Sequence, residues 1–273
     1  MTPPGPRATV WILIAIGLAG GFLSGVFGVG GGTIVVPALV GILGFSQKLA
    51  SGTSLLAIAP VTIVGALSYT VLGTANWGYG LLLAAGAVGG GFLGSWLLVK
   101  LPSRAIALLF IVFLLFVAVR LVFSEPSSAA APQLTVFGGV LLVAVGFVAG
   151  VLSGVIGVGG GIVIVPALVL GGGVGDLVAK GSSLIAIAPS SITTSVANLR
   201  RRNADLRAGL VIGLAGSVAT VAGSWTAAVI PTRAASIAFA VFLVLVAGQM
   251  LWRELGRTRR GRRGTGRARR IRP

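Results

Sequence analysis

The chain has no cysteine and no histidine, and only four of its 273 residues are acidic. Without cysteine there are no disulfides and no thiolate nucleophiles. Without histidine there is no imidazole base, no histidine ligand for haem, and no zinc site of the usual kind. Four carboxylates nearly exclude paired-carboxylate catalysis. Charged residues of either sign amount to 9%, against roughly 25% in a soluble domain. What is present instead is apolar: hydrophobic residues make up 56% and the mean hydropathy is +1.06. A water-soluble fold of this length would need far more polar surface. The sequence therefore reads as an integral membrane protein, not an enzyme, with no cofactor called for.

The formal charge of +17 is concentrated at one end. Ten of the 21 basic residues are arginines between Arg253 and Arg272, beside a single acid, Glu254, so that tail carries 10 − 1 = +9. It has too little apolar content to fold alone and is expected to be disordered. Its natural partner is anionic lipid headgroups, at about 1 kcal/mol per basic group near the surface. Nucleic acid is not expected, because no aromatic side chains follow Trp252 to stack on bases.

A helix needs about 20 apolar residues to cross a bilayer. The first half offers Thr9–Phe27, a short run Thr33–Phe45, Thr53–Gly73, Tyr79–Val99 and Arg104–Phe123. The second offers Leu134–Ile156, a short run Ile162–Leu170, Ser182–Leu199, Arg207–Ile230 and Arg233–Trp252. The two short runs contain Pro37 and Pro166 and are expected to enter the membrane without crossing it, which gives eight to ten segments according to how they are counted. With five segments per half and both termini cytoplasmic, Arg7, Lys48, Lys100, Arg104, Arg200–Arg201–Arg202, Arg207 and the tail all lie inside. That is the orientation favoured by the excess of positive charge on cytoplasmic loops. Only Lys180 and Arg233 among the loop bases fall outside, with Glu125 and Asp176. The corresponding units are an N-terminal segment 1–8, a first repeat 9–123, a linker loop 124–133, a second repeat 134–252 and the tail 253–273.

The halves are copies. At an offset of 129, GFLSGVFGVGGGTIVVPALV (Gly21–Val40) lies over GVLSGVIGVGGGIVIVPALV (Gly150–Val169), with 15 of 20 positions identical. The same offset superimposes GTSLLAIAP (Gly52–Pro60) on GSSLIAIAP (Gly181–Pro189), Gly94-Ser95-Trp96 on Gly223-Ser224-Trp225, and Pro102-x-Arg104-Ala105 on Pro231-x-Arg233-Ala234. Because the first apolar run recurs in mid-chain, it reads as a permanent span rather than a cleaved signal. An odd number of crossings per copy inserts the second upside down. The expected fold is thus all-α and polytopic, with two five-segment inverted repeats, the architecture of many secondary transporters.

GVGGG occurs at Gly28–Gly32 and again at Gly157–Gly161. It does not fit the dinucleotide-binding pattern G-x-G-x-x-G and lies between apolar spans rather than after a strand. It reads instead as an interruption of a membrane helix, with Pro37 and Pro166 supporting the break. Non-helical backbone is stable at membrane depth where protein or a water-filled cavity satisfies it. Each short helix after a break begins with free N–H groups at the positive end of its dipole, which suits an anion. Candidate substrate contacts are Gly28, Gly30, Gly31, Gly32, Thr33, Thr53 and Ser54 in one half, and Gly157, Gly159, Gly160, Gly161, Ser182 and Ser183 in the other. Thr53-Ser54 and Ser182-Ser183 are read as opening their helices. Other glycines read as packing ridges: Gly17, Gly21 and Gly25, their copies Gly146, Gly150 and Gly154, and Gly86, Gly90 and Gly94. None of the four acids lies within an expected span, which argues against a carboxylate proton relay or sodium site.

The paired LSGVFGVGGGTIVVPAL and LSGVIGVGGGIVIVPAL blocks, followed by GTSLLAIAP and GSSLIAIAP, resemble the TauE/SafE family of sulfite exporters, also called the four-toluene-sulfonate uptake permease group. The resemblance extends over Thr9 to Trp252. It implies a multi-pass plasma-membrane permease moving small sulfur-containing anions such as sulfite or organosulfonates without ATP, and its signature falls on Gly28–Gly32 with Pro37 and Gly157–Gly161 with Pro166. The arginine tail is not part of that pattern. The rival readings are an anion channel of the same fold and a non-transporting membrane scaffold. An intramembrane serine protease would lack a base, since Lys48, Lys100 and Lys180 all read as lying near segment ends. A homo-oligomer is compatible with every one of these readings.

Overall fold

The computed structural model describes residues 6–97, 103–123, 134–157 and 159–268. The expected linker loop 124–133, with Glu125, and Lys100 lie outside the described residues, as do the last five residues of the tail. Ten α-helices account for nearly all the rest: α1 (Pro6–Phe27), α2 (Gly32–Gly41), α3 (Gln47–Val71), α4 (Trp77–Leu97), α5 (Ser103–Phe123), α6 (Val136–Ile156), α7 (Gly161–Pro166), α8 (Asp176–Arg200), α9 (Leu206–Val229) and α10 (Thr232–Ala268). A π-helical turn, Ala167–Gly171, continues α7. Among the described residues, six helices contain stretches long and apolar enough to cross a membrane: Thr9–Phe27, Gln47–Val71, Trp77–Gly94, Val136–Gly154, Leu206–Val229 and Thr232–Trp252.

The distribution of polarity is that of a protein immersed in lipid. Val136, Phe137, Phe123 and Val71 are among the most exposed side chains, whereas Ser24, Thr53, Ser54, Thr62, Ser182, Ser183, Thr220 and Ser224 are buried. In water this arrangement would leave large apolar patches uncovered; in lipid it leaves the hydroxyls to bond one another and the backbone. Thr62 donates to Ile58 O and Thr194 to Ser190 O, one turn back in each case, and the Ser68 and Ser224 hydroxyls bond across helices.

The glycine ridges decide which helices touch. Along α1 and α9, Gly17 faces Ile212, Gly21 faces Gly216, and Gly25 faces Thr220 and Gly223, so these helices run parallel with backbones in contact. The Thr220 hydroxyl bridges them, donating to Gly21 O at 2.8 Å. Along α4 and α6, Gly86 faces Val143, Gly90 faces Phe147 and Gly94 faces Val151, again parallel. A Cβ on Gly21, Gly86 or Gly90 would overlap backbone atoms of the opposing helix. Close approach of this kind lets dispersion and weak polar contacts hold helices together where lipid removes the hydrophobic incentive.

At the centre lie α3 and α8. They begin and end at matched positions of the repeat, since 47 + 129 = 176 and 71 + 129 = 200. Gly52 abuts Asn203, Gly65 abuts Leu184, and Gly181 abuts Tyr69 and Ala75. As one residue number rises the other falls, so the two matched helices are antiparallel.

Three expectations need correction. First, α8 begins at Asp176, six residues before Ser182, and α3 at Gln47, six before Thr53. The hydroxyl pairs Thr53-Ser54 and Ser182-Ser183 therefore sit in the second turn and do not open their helices. The polar start of α8 is enclosed by protein, Asp176 and Lys180 being buried, whereas Gln47 and Lys48 at the start of α3 are exposed. Second, Asp176 and Lys180 are not loop charges: both are buried inside the described structure. Third, the backbone of α10 remains helical through Ala268, past Trp252 and into the arginine stretch expected to be disordered. Arginine is a good helix former, and a helix already nucleated in the membrane extends residue by residue.

Candidate functional site

Both GVGGG motifs interrupt the helical backbone by left-handed glycine conformations. Gly28, Gly30 and Gly31 have φ of 69°, 83° and 76°, and Gly157 and Gly159 have 77° and 88°. A side chain in this region costs roughly 1–2 kcal/mol per residue. The motifs are not identical in shape, because Gly160 takes a right-handed φ of −71° where Gly31, at the matched position, is left-handed. The glycines alone make the breaks: Pro37 and Pro166 lie within and at the end of the short helices, and Pro166 marks where α7 widens into its π turn.

The two breaks meet. A Cβ on Gly161 would overlap Gly28 O and stand 2.6 Å from Val29 Cα. One on Gly159 would lie 2.9 Å from Val29 O. Ile58 touches the positions of both Gly30 and Gly159, and Ile187, its copy, also touches Gly30. At the start of α2 the cap residue Gly31 supplies no side chain, and α2 itself begins Gly32-Thr33. The sequence candidates Gly28, Gly30, Gly159 and Gly161 thus form one junction between the halves, floored by two isoleucines.

The four hydroxyl candidates in α3 and α8 divide into different jobs. Thr53 accepts from the backbone N–H of Asp205 at 2.9 Å, and Ser182 donates to Asn76 O at 3.2 Å. Asn76 and Asp205 are matched residues, and each caps the next helix: the Asn76 side chain accepts from Tyr79 N–H and that of Asp205 from Ala208 N–H. Thr53 and Ser182 therefore brace the hairpin turn of the opposite half. Ser183 donates to Gly28 O at 2.9 Å and so ties α8 to the first break. Among the described residues the hydroxyl of its copy Ser54, fully buried, has no hydrogen-bond partner, and neither has that of the buried Thr33 at the head of α2. A buried hydroxyl left unpaired costs about 1–3 kcal/mol; Ser24 and Ser195 share this state, and Thr33 and Ser54 are the two that lie in the helices after the first break.

Sequence reasoning missed Lys180. Its relative exposure is 0%, its ammonium pairs with Asp176 one turn back, and its backbone lies against Gly28. The sequence held no signal for it: the matched residues Gln47 and Ser51 also fall before the expected span Thr53–Gly73, and it is the structure that extends both helices six residues upstream. Tyr69 completes the surroundings, donating to Gly25 O at 2.7 Å and standing within electrostatic reach of Asp176.

Two cavities bear on access. The larger, about 360 Å³, lies between α5, α6 and the π turn and is lined by apolar side chains including Phe116, Val148, Pro166 and Leu170. It offers an anion nothing. The smaller, about 10 Å³, adjoins Gly20, Gly30, Gly31 and Ile58 at the junction. That is about the size that holds one water.

A family model described as sulfite exporter TauE/SafE matches residues 2–121 and 142–272. Over 110 residues the chain is 36% identical to "Probable membrane transporter protein YunE" of Bacillus subtilis (strain 168), a match covering 40% of each chain. It is 26% identical over 253 residues to a "Probable membrane transporter protein" of Xylella fastidiosa (strain 9a5c), covering 89% of this chain and 95% of the other. "Probable membrane transporter protein MJ0441" of Methanocaldococcus jannaschii is 29% identical over 168 residues, covering 58% and 61%. No solved structure matches. Helices of spanning length, the doubled glycine motif and a family match over both halves lead to one conclusion: this multi-pass membrane protein belongs to the TauE/SafE sulfite exporter family of transporters.

Proposed function

We propose that the protein is a secondary permease for small sulfur-containing anions such as sulfite or organosulfonates, held at the junction of the two GVGGG breaks. The observation that carries this reading is a set of unsatisfied buried donors, Thr33 and Ser54, in the two helices that follow the first break, one of which starts without a side-chain cap. Neutral donors and a positive helix end select an anion over a cation. The substrate-contacting set is Gly28, Gly30, Gly31, Gly32, Thr33 and Ser54 with Gly157, Gly159, Gly160, Gly161 and Ser183. Thr53 and Ser182 act on it indirectly, by bracing the turns.

The halves work as inverted repeats, and the antiparallel packing of α3 on α8 supports this. Rocking one repeat against the other opens the junction to either side in turn, a reading supported by the small cavity there. The protein resides in the plasma membrane with both termini cytoplasmic, in keeping with Arg7, Lys48, Arg200, Arg201, Arg202 and Arg207 on one side and the arginine-rich end of α10 against anionic headgroups.

Thermal-shift screening of purified protein against sulfite, sulfate, thiosulfate, sulfoacetate and taurine tests the reading. A ligand of the native state raises the melting temperature by mass action, by the equivalent of about 2.7 kcal/mol at a hundredfold excess over Kd. No shift with any of the five counts against it. Flux into proteoliposomes under an imposed ion gradient separates a carrier, which concentrates substrate, from an anion channel of the same fold.

A further inference from the structure

The interior described above is furnished almost wholly with hydroxyls, yet two full charges are buried in it, Asp176 and Lys180. A buried ion pair is poor value as a fold stabiliser, because desolvation offsets most of the attraction. Nor does this fold need one at that place. The matched positions in the other half, the exposed Gln47 and the half-buried Ser51, are neutral, although Ser51 meets Gly157 as Lys180 meets Gly28. The same backbone arrangement is thus built once without charge and once with it. What the charged copy adds lies one turn from Ser183 and against the first glycine break.

We propose that Lys180 is the cation that recognises the transported anion, and that Asp176 is a tethered stand-in which occupies Lys180 while the site is empty. The inference rests on the anion-permease reading. A lysine ammonium has three donors, and among the described residues its charge partner is a single carboxylate. Asp176 sits in the first turn of α8 with its side chain still slightly exposed, at 10%, whereas that of Lys180 is enclosed. The carboxylate therefore has a route toward solvent that the ammonium lacks. When an oxyanion reaches the junction, Asp176 rotates outward to the N-terminal end of α8, where negative charge is favoured. The anion then takes its place on Lys180. Lys180 is never left without an anion, the displaced Asp176 is left to the positive end of α8, and no covalent step is involved. The exchange also makes departure easy, since the stand-in returns as the substrate leaves.

The experiment compares three proteins by anion-dependent thermal shift and proteoliposome flux, using the panel of sulfite, sulfate, thiosulfate, sulfoacetate and taurine. In the double variant Asp176→Gln with Lys180→Ser, the residues are those the fold already accommodates in the other half. It is expected to insert and elute as the unaltered protein does and to lose at least tenfold in affinity for whichever anion the unaltered protein binds. Asp176→Asn alone removes the competitor and keeps the cation, so affinity rises at least threefold while turnover slows. If the double variant binds as tightly as the unaltered protein, the pair is structural and this inference is overturned while the permease reading stands. Should the double variant not fold, Asp176→Asn decides: equal or weaker binding overturns the exchange. No response of the unaltered protein to any of the five anions would overturn both.

Discussion

Ser183, in the second turn of α8, donates its hydroxyl to the carbonyl of Gly28, 155 residues earlier in the chain, at 2.9 Å. The bond fastens one half's central helix to the other half's break. Ser54 holds the matched place in α3 and is buried without a partner. The two serines should therefore respond oppositely to removal. Ser183→Ala leaves the Gly28 carbonyl short of a donor and is expected to lower stability by about 1–3 kcal/mol, read as a lower melting temperature in detergent. Ser54→Ala removes only an unsatisfied group, so melting should be unchanged or slightly higher while the anion-induced shift falls. Equal stability losses in the two variants would contradict the assignment.

Gly31 and Gly160 occupy matched positions in the two breaks but differ in backbone conformation. Gly31 is left-handed, and a Cβ there would stand 2.6 Å from Gly20 O; Gly160 is right-handed, with Ala149 Cβ at 3.2 Å. Alanine should be tolerated at Gly160 with a small loss and poorly at Gly31, where about 1–2 kcal/mol of backbone strain adds to the clash. Valine at both positions is expected to abolish flux in whatever fraction still inserts. Normal flux from such protein would favour a scaffold over a permease.

The packing ridges allow a sharper contrast. Gly21→Ala would drive α1 and α9 apart, since the new methyl overlaps Gly216, and folded yield should collapse. Gly41, the last residue of α2, has nothing within 4 Å of the Cβ position. Gly41→Ala should be neutral or stabilise by up to about 1 kcal/mol. Fluorescence-detected size exclusion of both variants checks the pair.

Phe27 ends α1 immediately before the break and stacks on Phe239 and Phe242 of α10, with ring centroids 5.3 Å and 4.9 Å away. Its copy in the second half is Ile156, so the stack belongs to the first break alone. Phe27→Ala is expected to cost about 3–5 kcal/mol. Phe27→Leu should keep most of that stability, and thermal unfolding distinguishes the two.

Much of this was legible in the sequence because the chain states its plan twice. The repeat located both breaks, and the glycine spacing in α1, α4 and α6 announced the ridges before any partner was known. What the ridges could not announce was the partner itself: small-xxx-small spacing says that a helix is approached closely, not by which one. Lys180 and Asp176 were misplaced for a related reason. Charge is ordinarily evidence of a loop in a membrane chain, and only a protein-lined interior, invisible to hydropathy, makes the opposite reading affordable. The orphaned hydroxyls were equally hidden, since Ser54 and Ser183 look alike in the sequence and differ only in what surrounds them.

The pairing of α1 with α9 has a consequence for how the molecule is made. During synthesis α1 enters the bilayer long before α9, whose surface its glycines fit, leaves the ribosome. Until then a bare seam of backbone must wait in the lipid beside the translocon, and α4 must wait likewise for α6. Neither half can ripen before the other arrives, so truncated or stalled chains of this protein should be early prey for the membrane's quality-control proteases.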